Sequence, residues 1–292
     1  MKPIENKKFI IYNNYNESSY NRFTTTEWVW KICDKIDSIV SENIRINNNP
    51  KLTFDQKISK IHDLNIEYLT STLVTAMLYK EHNIISEAEA EHIVGMFNFG
   101  EIDNFYSDPA SIKYHANWIG GLFCHSLLVY KAALLSAPLY NIVEEKVSLI
   151  ACIMHDFCKI GKYKMEVDEN DNLVISYNNK DSRYYNSIQH GPESVRRILD
   201  CWHRANIINY KFDEKAKLDT NNINRYIDNS FSEGDLRNSL YSVEWEQAVA
   251  YHMGVFDVGN SEMKEFSNAT EKNPYVLLLH NADMIATKIY GI

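Results

Sequence analysis

Four apolar, helix-like stretches of this chain each carry a histidine or an aspartate on the stripe that has to be buried. His125 lies in Gly-Gly-Leu-Phe-Cys-His-Ser-Leu-Leu-Val, and His155-Asp156 close the run Leu-Ile-Ala-Cys-Ile-Met. His252 follows Gln-Ala-Val-Ala-Tyr, and Asp283 sits in Leu-Leu-Leu-His-Asn-Ala-Asp-Met-Ile-Ala. A carboxylate or imidazole taken out of water must be paired, neutral or bound to a metal. Four such positions constrain the packing, because the stretches that carry them must bring them to a common partner. One ion that all four share answers that demand.

The rest of the pattern is helical. Trp28, Ile32, Ile36 and Ile39 recur at helical spacing after Thr26. Asn47-Asn-Asn-Pro50 breaks that helix, and Thr53-Phe-Asp-Gln56 has the form of a capping box ahead of Phe54, Ile58, Ile61, Leu69, Leu73 and Met77. Ser86-Glu-Ala-Glu89 repeats the form before Ile93, Val94 and Phe97. Buried helices are expected over 118–136 and 144–158, with a further helix over 190–204. Residues 163–178 change period, with two β-prone runs around Asp-Glu-Asn-Asp-Asn, and read as a short hairpin. Residues 205–240 are polar and Asn-rich and read as a loop or lid with some helix. Ser242 caps a helix carrying Trp245, Val249 and His252, and Asn273-Pro274 opens a last helix that Gly291 stops. The expectation is an all-α bundle with one small hairpin. An N-terminal arm and helical extension over 1–105 is expected to pack on a core domain over 106–292.

The segment His155-Asp-Phe-Cys-Lys159-Ile-Gly161, with His125 upstream and Asp283 far downstream, resembles the HD-domain superfamily of metal-dependent phosphohydrolases. That family has a first His, a His-Asp doublet in the form His-Asp-x-x-Lys-x-Gly, and a distant Asp. His190 and His252 fit the subset that holds two metals. The run His115-Ala-Asn-Trp-Ile-Gly-Gly-Leu-Phe-Cys-His125 is similar to the HD domain of bacterial 3′–5′ exoribonucleases. The resemblance covers roughly residues 110–292. The first 100 residues look helical, where those exoribonucleases carry an oligonucleotide-binding β-barrel.

The resemblance implies an HD-type bundle and a set of roles. His125, His155, Asp156 and Asp283 would hold a first ion, and Asp156, His190 and His252 a second, with Asp156 bridging. Asp156 and Lys159 would be the catalytic pair, Lys159 as a phosphate-facing cation or as a group that orients the nucleophile through Asp156. His115, Arg183 and Arg196 are the candidate substrate contacts. Imidazole and carboxylate donors suit Mn, Fe, Ni, Co or Zn, and carboxylate-rich open sites also admit Mg. Two ions about 3.5–4 Å apart activate water and neutralise charge on a phosphoryl group.

Composition narrows the partners. A net charge of −9 over 292 residues argues against a broad face for long nucleic acid, yet leaves room for a small phosphate-bearing nucleotide. Five cysteines, an odd number without zinc-type pairing, suggest a reducing cytosol and no disulfide framework; Cys124, Cys152 and Cys158 read as small core residues. No signal peptide is legible, no run of about 18 apolar residues is apparent, and a cytoplasmic protein with no membrane span is expected. The expected activity is hydrolysis of a phosphate ester or anhydride of a mononucleotide, nucleoside triphosphate or cyclic nucleotide. The alternatives are an exonuclease or phosphodiesterase on short RNA or DNA, and a catalytically idle nucleotide-sensing module. Oligomeric state is left open.

Overall fold

A computed structural model describes residues 27–69, 93, 95–97, 102–178, 189–212 (203–212 by backbone alone), 241–254 and 262–291. Helix α1 (Glu27–Asn47) buries Trp28, Val29, Ile32, Cys33, Ile36, Ile39 and Val40 on one stripe. Helix α2 (Phe54–Glu67) begins with the expected capping box: Gln56 N–H donates to Thr53 Oγ1, and Thr53 N–H donates to Gln56 Oε1. Thr26, the Ser86–Glu89 box, Leu73 and Met77 lie outside the described residues.

Helix α3 (Gly121–Ser136) is buried on almost every face, including His125. A helix apolar all round belongs in a core. Together with the 3-10 turn Ala137–Tyr140 it makes a stretch, Gly121–Tyr140, that by length and composition alone would cross a membrane. However, 83% of its most apolar window is buried inside this fold.

The helix expected over 144–158 is broken into three pieces. A 3-10 turn Glu144–Lys146 precedes α4 (Leu149–Met154), and a second turn, Phe157–Lys159, follows the His-Asp doublet. Ser148 causes the first break, its Oγ accepting from Ala151 N–H at 3.1 Å and so starting α4 afresh. Asp156 causes the second, with φ −106° and ψ 18° in the bridge region.

The hairpin is present as β1 (Tyr163–Val167) and β2 (Leu173–Tyr177), antiparallel with Tyr163 opposite Tyr177. Its Met165 and Leu173 pack with Leu52, Phe54 and Ile58, so one face docks on the α1–α2 corner. Helix α5 (His190–Phe212) runs past 204 into the segment that reads as a loop or lid with some helix; 213–240 lie outside the described residues. Helix α6 (Val243–Tyr251) is capped by Ser242, α7 spans Met263–Lys272, and α8 (Pro274–Lys288) is capped by Asn273.

Helix α3 is the axis of the bundle, with α8, α4 and α1 packed on it. Helix α6 lies between α8 and α5, and α5 leans on the turn Phe157–Lys159. One continuous core runs from Trp28 on α1 to Ala286 on α8. The N-terminal helices are tied in by polar bonds as well. Asn43 Nδ2 donates to Asn65 Oδ1 at 2.7 Å, Asn65 Nδ2 donates to the Tyr106 carbonyl at 2.7 Å, and Asn47 Nδ2 donates to the Ile119 carbonyl at 3.0 Å. Gly120, at φ +81°, fits against this network where a Cβ would lie 2.6 Å from Ile61 and 2.8 Å from Asn43. The N-terminal helices thereby set the start of α3, and with it the height of His125.

Candidate metal centre

Three buried imidazoles define the centre, and the backbone orients two of them. His155 Nδ1 lies 2.8 Å from the Cys152 carbonyl, and His252 Nδ1 lies 2.7 Å from the Val249 carbonyl. A carbonyl only accepts, so this partner assigns the proton to Nδ1 and leaves Nε2 as a bare lone pair in the neutral ring. Metal-binding histidines are commonly fixed in this way. Both Nε2 atoms are buried and without a hydrogen-bond partner, as are both ring nitrogens of His125.

The Nε2 atoms of His125 and His155 converge on two carboxylates. His125 Nε2 is 3.1 Å from Asp283 Oδ1 and 3.5 Å from Asp156 Oδ2. His155 Nε2 is 3.5 Å from Asp156 Oδ2 and 4.0 Å from Asp283 Oδ1. Donors held about 2.0–2.2 Å from one ion stand roughly 3.0–3.6 Å from one another. Most of these separations therefore match donors around a common ion, and the absence of hydrogen-bond alignment at the His125 and His155 Nε2 atoms agrees with that. The other oxygen of Asp156 faces away: Oδ1 is 2.5 Å from His190 Nε2 and 3.7 Å from His252 Nε2. Asp156 thus offers one oxygen to each of two donor sets. His125, His155 and Asp156 can hold an ion, as can His155, His252 and Asp283, and Asp156, Cys158 and His190.

The electrostatics follow from burial against pairing. Burial pushes His155 down to about 3, which keeps its ring neutral. Burial opposes protonation of His125, but Asp156 and Asp283 outweigh it and raise its pKa. Burial also opposes ionisation of Asp156, yet Lys159, His155 and His190 hold it well below the usual carboxylate range. Asp283 is held down likewise by His125 and His155. Lys159 Nζ donates to Asp156 Oδ2 at 2.6 Å, and despite its burial the two aspartates keep it charged. His190 is raised to about 10, its burial outweighed by Cys158 and Asp156.

Close packing positions the donors. A Cβ on Gly191 would lie 2.1 Å from the Ala250 carbonyl and 2.7 Å from that of Val249, so α5 and α6 meet here only through glycine. The approach sets the rings of His190 and His252 5.2 Å apart, and the Val249 carbonyl is the one that orients His252. Arg197 Nη1 donates to the Phe157 and Ile160 carbonyls at 3.0 Å, while its Nε donates to Glu193 at 2.9 Å. Cys158 N–H donates to Ser194 Oγ at 3.1 Å. On the opposite side, Gly161 N–H donates to Asp108 Oδ2 at 2.7 Å, and burial raises Asp108 to about 7. The turn bearing Asp156 and Lys159 is therefore held from both ends.

The structure brings together seven of the sequence candidates: His125, His155, Asp156, Lys159, His190, His252 and Asp283. His115 stands at the edge, its ring 4.8 Å from that of His125 and its Nε2 buried without a partner. Arg196 makes a two-pronged pair with Glu193 on its own helix, both bonds 2.8 Å. Arg183 lies outside the described residues. His280 Nδ1 is 2.6 Å from the His252 carbonyl, a supporting contact.

Cys158, read from the sequence as a helical core residue, is instead half-buried beside Asp156 and His190. Its spacing, two residues beyond Asp156 and next to Lys159, was the available signal. Asp108 and the bonds from Arg197 to the Phe157 and Ile160 carbonyls carried none, since these contacts join a side chain to main-chain groups distant in sequence. No protein-family model, curated protein or solved structure matches the chain. The donor set suits one or two divalent ions: buried imidazole lone pairs lack partners, and the two nearby carboxylates are ionised.

Proposed function

We propose that this chain is an HD-type metal-dependent phosphohydrolase acting on a phosphate ester or anhydride of a small nucleotide. The observation that carries the reading is Asp156, whose two oxygens face two separate groups of histidines, buried His125 and His155 on one side and His190 with buried His252 on the other. Divalent ions held there would activate a water and neutralise charge on a phosphoryl oxygen. His125, His155, Asp156 and Asp283 would hold one ion; Asp156, His190 and His252 would take part in holding a second. Lys159 fixes the orientation of Asp156 and brings a permanent cation to the edge where phosphate would sit. The chain's net charge of −9 favours a small substrate over long nucleic acid.

A second reading, removal of nucleotides from the end of short RNA or DNA, is favoured by the His115-to-His125 run and the seat of His115 against His125. A single panel separates the two. Mn-supplemented protein is assayed on nucleoside mono- and triphosphates, cyclic nucleotides, a generic phosphodiester and labelled oligonucleotides. Turnover of small nucleotides alone is the expected result. Oligonucleotide cleavage with steep salt dependence would move the assignment to the second reading. Nucleotide binding without turnover in any metal would overturn both in favour of a sensing module.

A further inference from the structure

We infer that Cys158 is a ligand in this centre, making the second ion's site a mixed one of thiolate, imidazole and bridging carboxylate. The inference rests on the metal-centre reading above, though not on which bond the centre hydrolyses.

Donor atoms of Cys158, Asp156 and His190 lie within 4.8 Å of one another, close enough to share one ion. The Asp156 oxygen involved in the pair with His190 is Oδ1, the one turned away from His125 and His155. A second, independent feature faces the same carboxylate oxygen. His252, fully buried, has an unpartnered Nε2 3.7 Å from that same Oδ1, with Nδ1 already committed to the Val249 carbonyl. Three potential donors of two chemical types, a thiol and two imidazoles, therefore face Asp156.

The sulfur is held there by the fold. Cys158 lies in the 3-10 turn Phe157–Lys159, and its N–H is bonded to Ser194 Oγ, on a fully buried residue one helical turn after His190. The thiol and the His190 ring are thus carried on backbone segments pinned to each other. The other four cysteines, Cys33, Cys124, Cys152 and Cys201, are buried. A ligating cysteine gives up its proton and binds as thiolate. Soft thiolate selects zinc, iron or cobalt over magnesium, whereas a site of imidazole and carboxylate alone is far more permissive. The two positions of the centre would then differ in preference, with the harder donors around Asp283 and the softer around Cys158.

Cobalt(II) tests this directly. Metal-free protein is titrated with cobalt while its absorption spectrum is followed. The visible bands of bound cobalt are expected with filling of the centre. A near-ultraviolet sulfur-to-cobalt charge-transfer band should accompany one equivalent and be missing from Cys158→Ser, which keeps the remaining visible bands. Visible bands without any charge-transfer band in the wild-type protein would overturn the role of Cys158 and leave the metal centre standing. Failure of the wild-type protein to bind cobalt would overturn both. A measurement on the unmutated chain guards against misfolding of the variant. Alkylation of Cys158 by iodoacetamide, mapped on its peptide, should be about tenfold slower with zinc bound, because ligation withdraws the nucleophile. Equal rates with and without zinc, at a concentration shown to bind, would refute the assignment.

Discussion

Removing the charge of Asp156 should destabilise this protein even when no metal is present. Its side chain is 3% exposed, and that of its partner Lys159 is 12% exposed, with Nζ 2.6 Å from Oδ2. Breaking a buried ion pair by deleting one partner costs about 3–5 kcal/mol, because the other charge stays buried without compensation. Asp156→Asn keeps the volume and one acceptor oxygen, so about 3 kcal/mol is expected. Lys159→Met keeps the aliphatic stem, and His190 remains 2.5 Å from Asp156 to offset its charge. A loss of about 2 kcal/mol follows from the lower stakes of that deletion. If the two residues act as a pair, the double variant should lose much less than the sum, with a coupling of about 2 kcal/mol. Urea unfolding in EDTA, followed by circular dichroism and tryptophan fluorescence, measures all four corners of the cycle, provided the slopes agree. A typical stability of about 5–15 kcal/mol leaves each variant folded without denaturant. A coupling below about 0.5 kcal/mol, or Asp156→Asn as stable as wild type, would refute the reasoning. The outcome bears on function too, since an Asp156 variant is a sound inactive control only where it is shown to be folded.

Three further outcomes follow from particular contacts. Asp108 is raised to about 7 when folded, against about 3.9 in an unfolded chain, so the folded state holds a proton that the unfolded state has released. Stability is therefore expected to fall as pH rises from about 4 to about 7, by at most about 4 kcal/mol from this group; Asp108→Asn should remove that slope, and parallel pH profiles of melting temperature for the two proteins would contradict it. Gly191→Ala should drive α5 from α6, since its Cβ would lie 2.1 Å from the Ala250 carbonyl, costing about 1–3 kcal/mol. The same change should shrink the rise in melting temperature on adding Mn, and an unchanged rise would show that His190 and His252 need no such approach. Asn65→Ala strands Asn43 Oδ1 and the Tyr106 carbonyl, so a loss of about 2–4 kcal/mol is expected in urea unfolding; less than about 1 kcal/mol would mean that water replaces the amide.

What the sequence made legible was set by the range of the forces involved. Local rules carried well: the Thr53–Gln56 capping box, the Ser242 and Asn273 caps and the hairpin around 168–172 are decided within a few residues and stand where expected. The convergence of His125, His155, Asp156, His252 and Asp283 was legible for a different reason. A polar group on an apolar stripe advertises a missing partner, and several such groups in a single core have few places to find one. The break between α4 and the turn after it was not legible, because the apolar run 149–154 looks continuous with Phe157. What breaks it is Asp156 leaving helical geometry to face two sets of histidines, with Arg197, Ser194 and Asp108 holding the turn from elements far away in sequence. Cys158 was misread by the same route. A small apolar-compatible residue in an apparent helix reads as core, whereas in a turn held open between α5 and the His-Asp doublet it faces His190. Periodicity could thus assign the donors that interrupt an apolar pattern, but not the donor that blends into one. It was equally blind to Gly191, whose missing side chain is what lets the two halves of the centre meet.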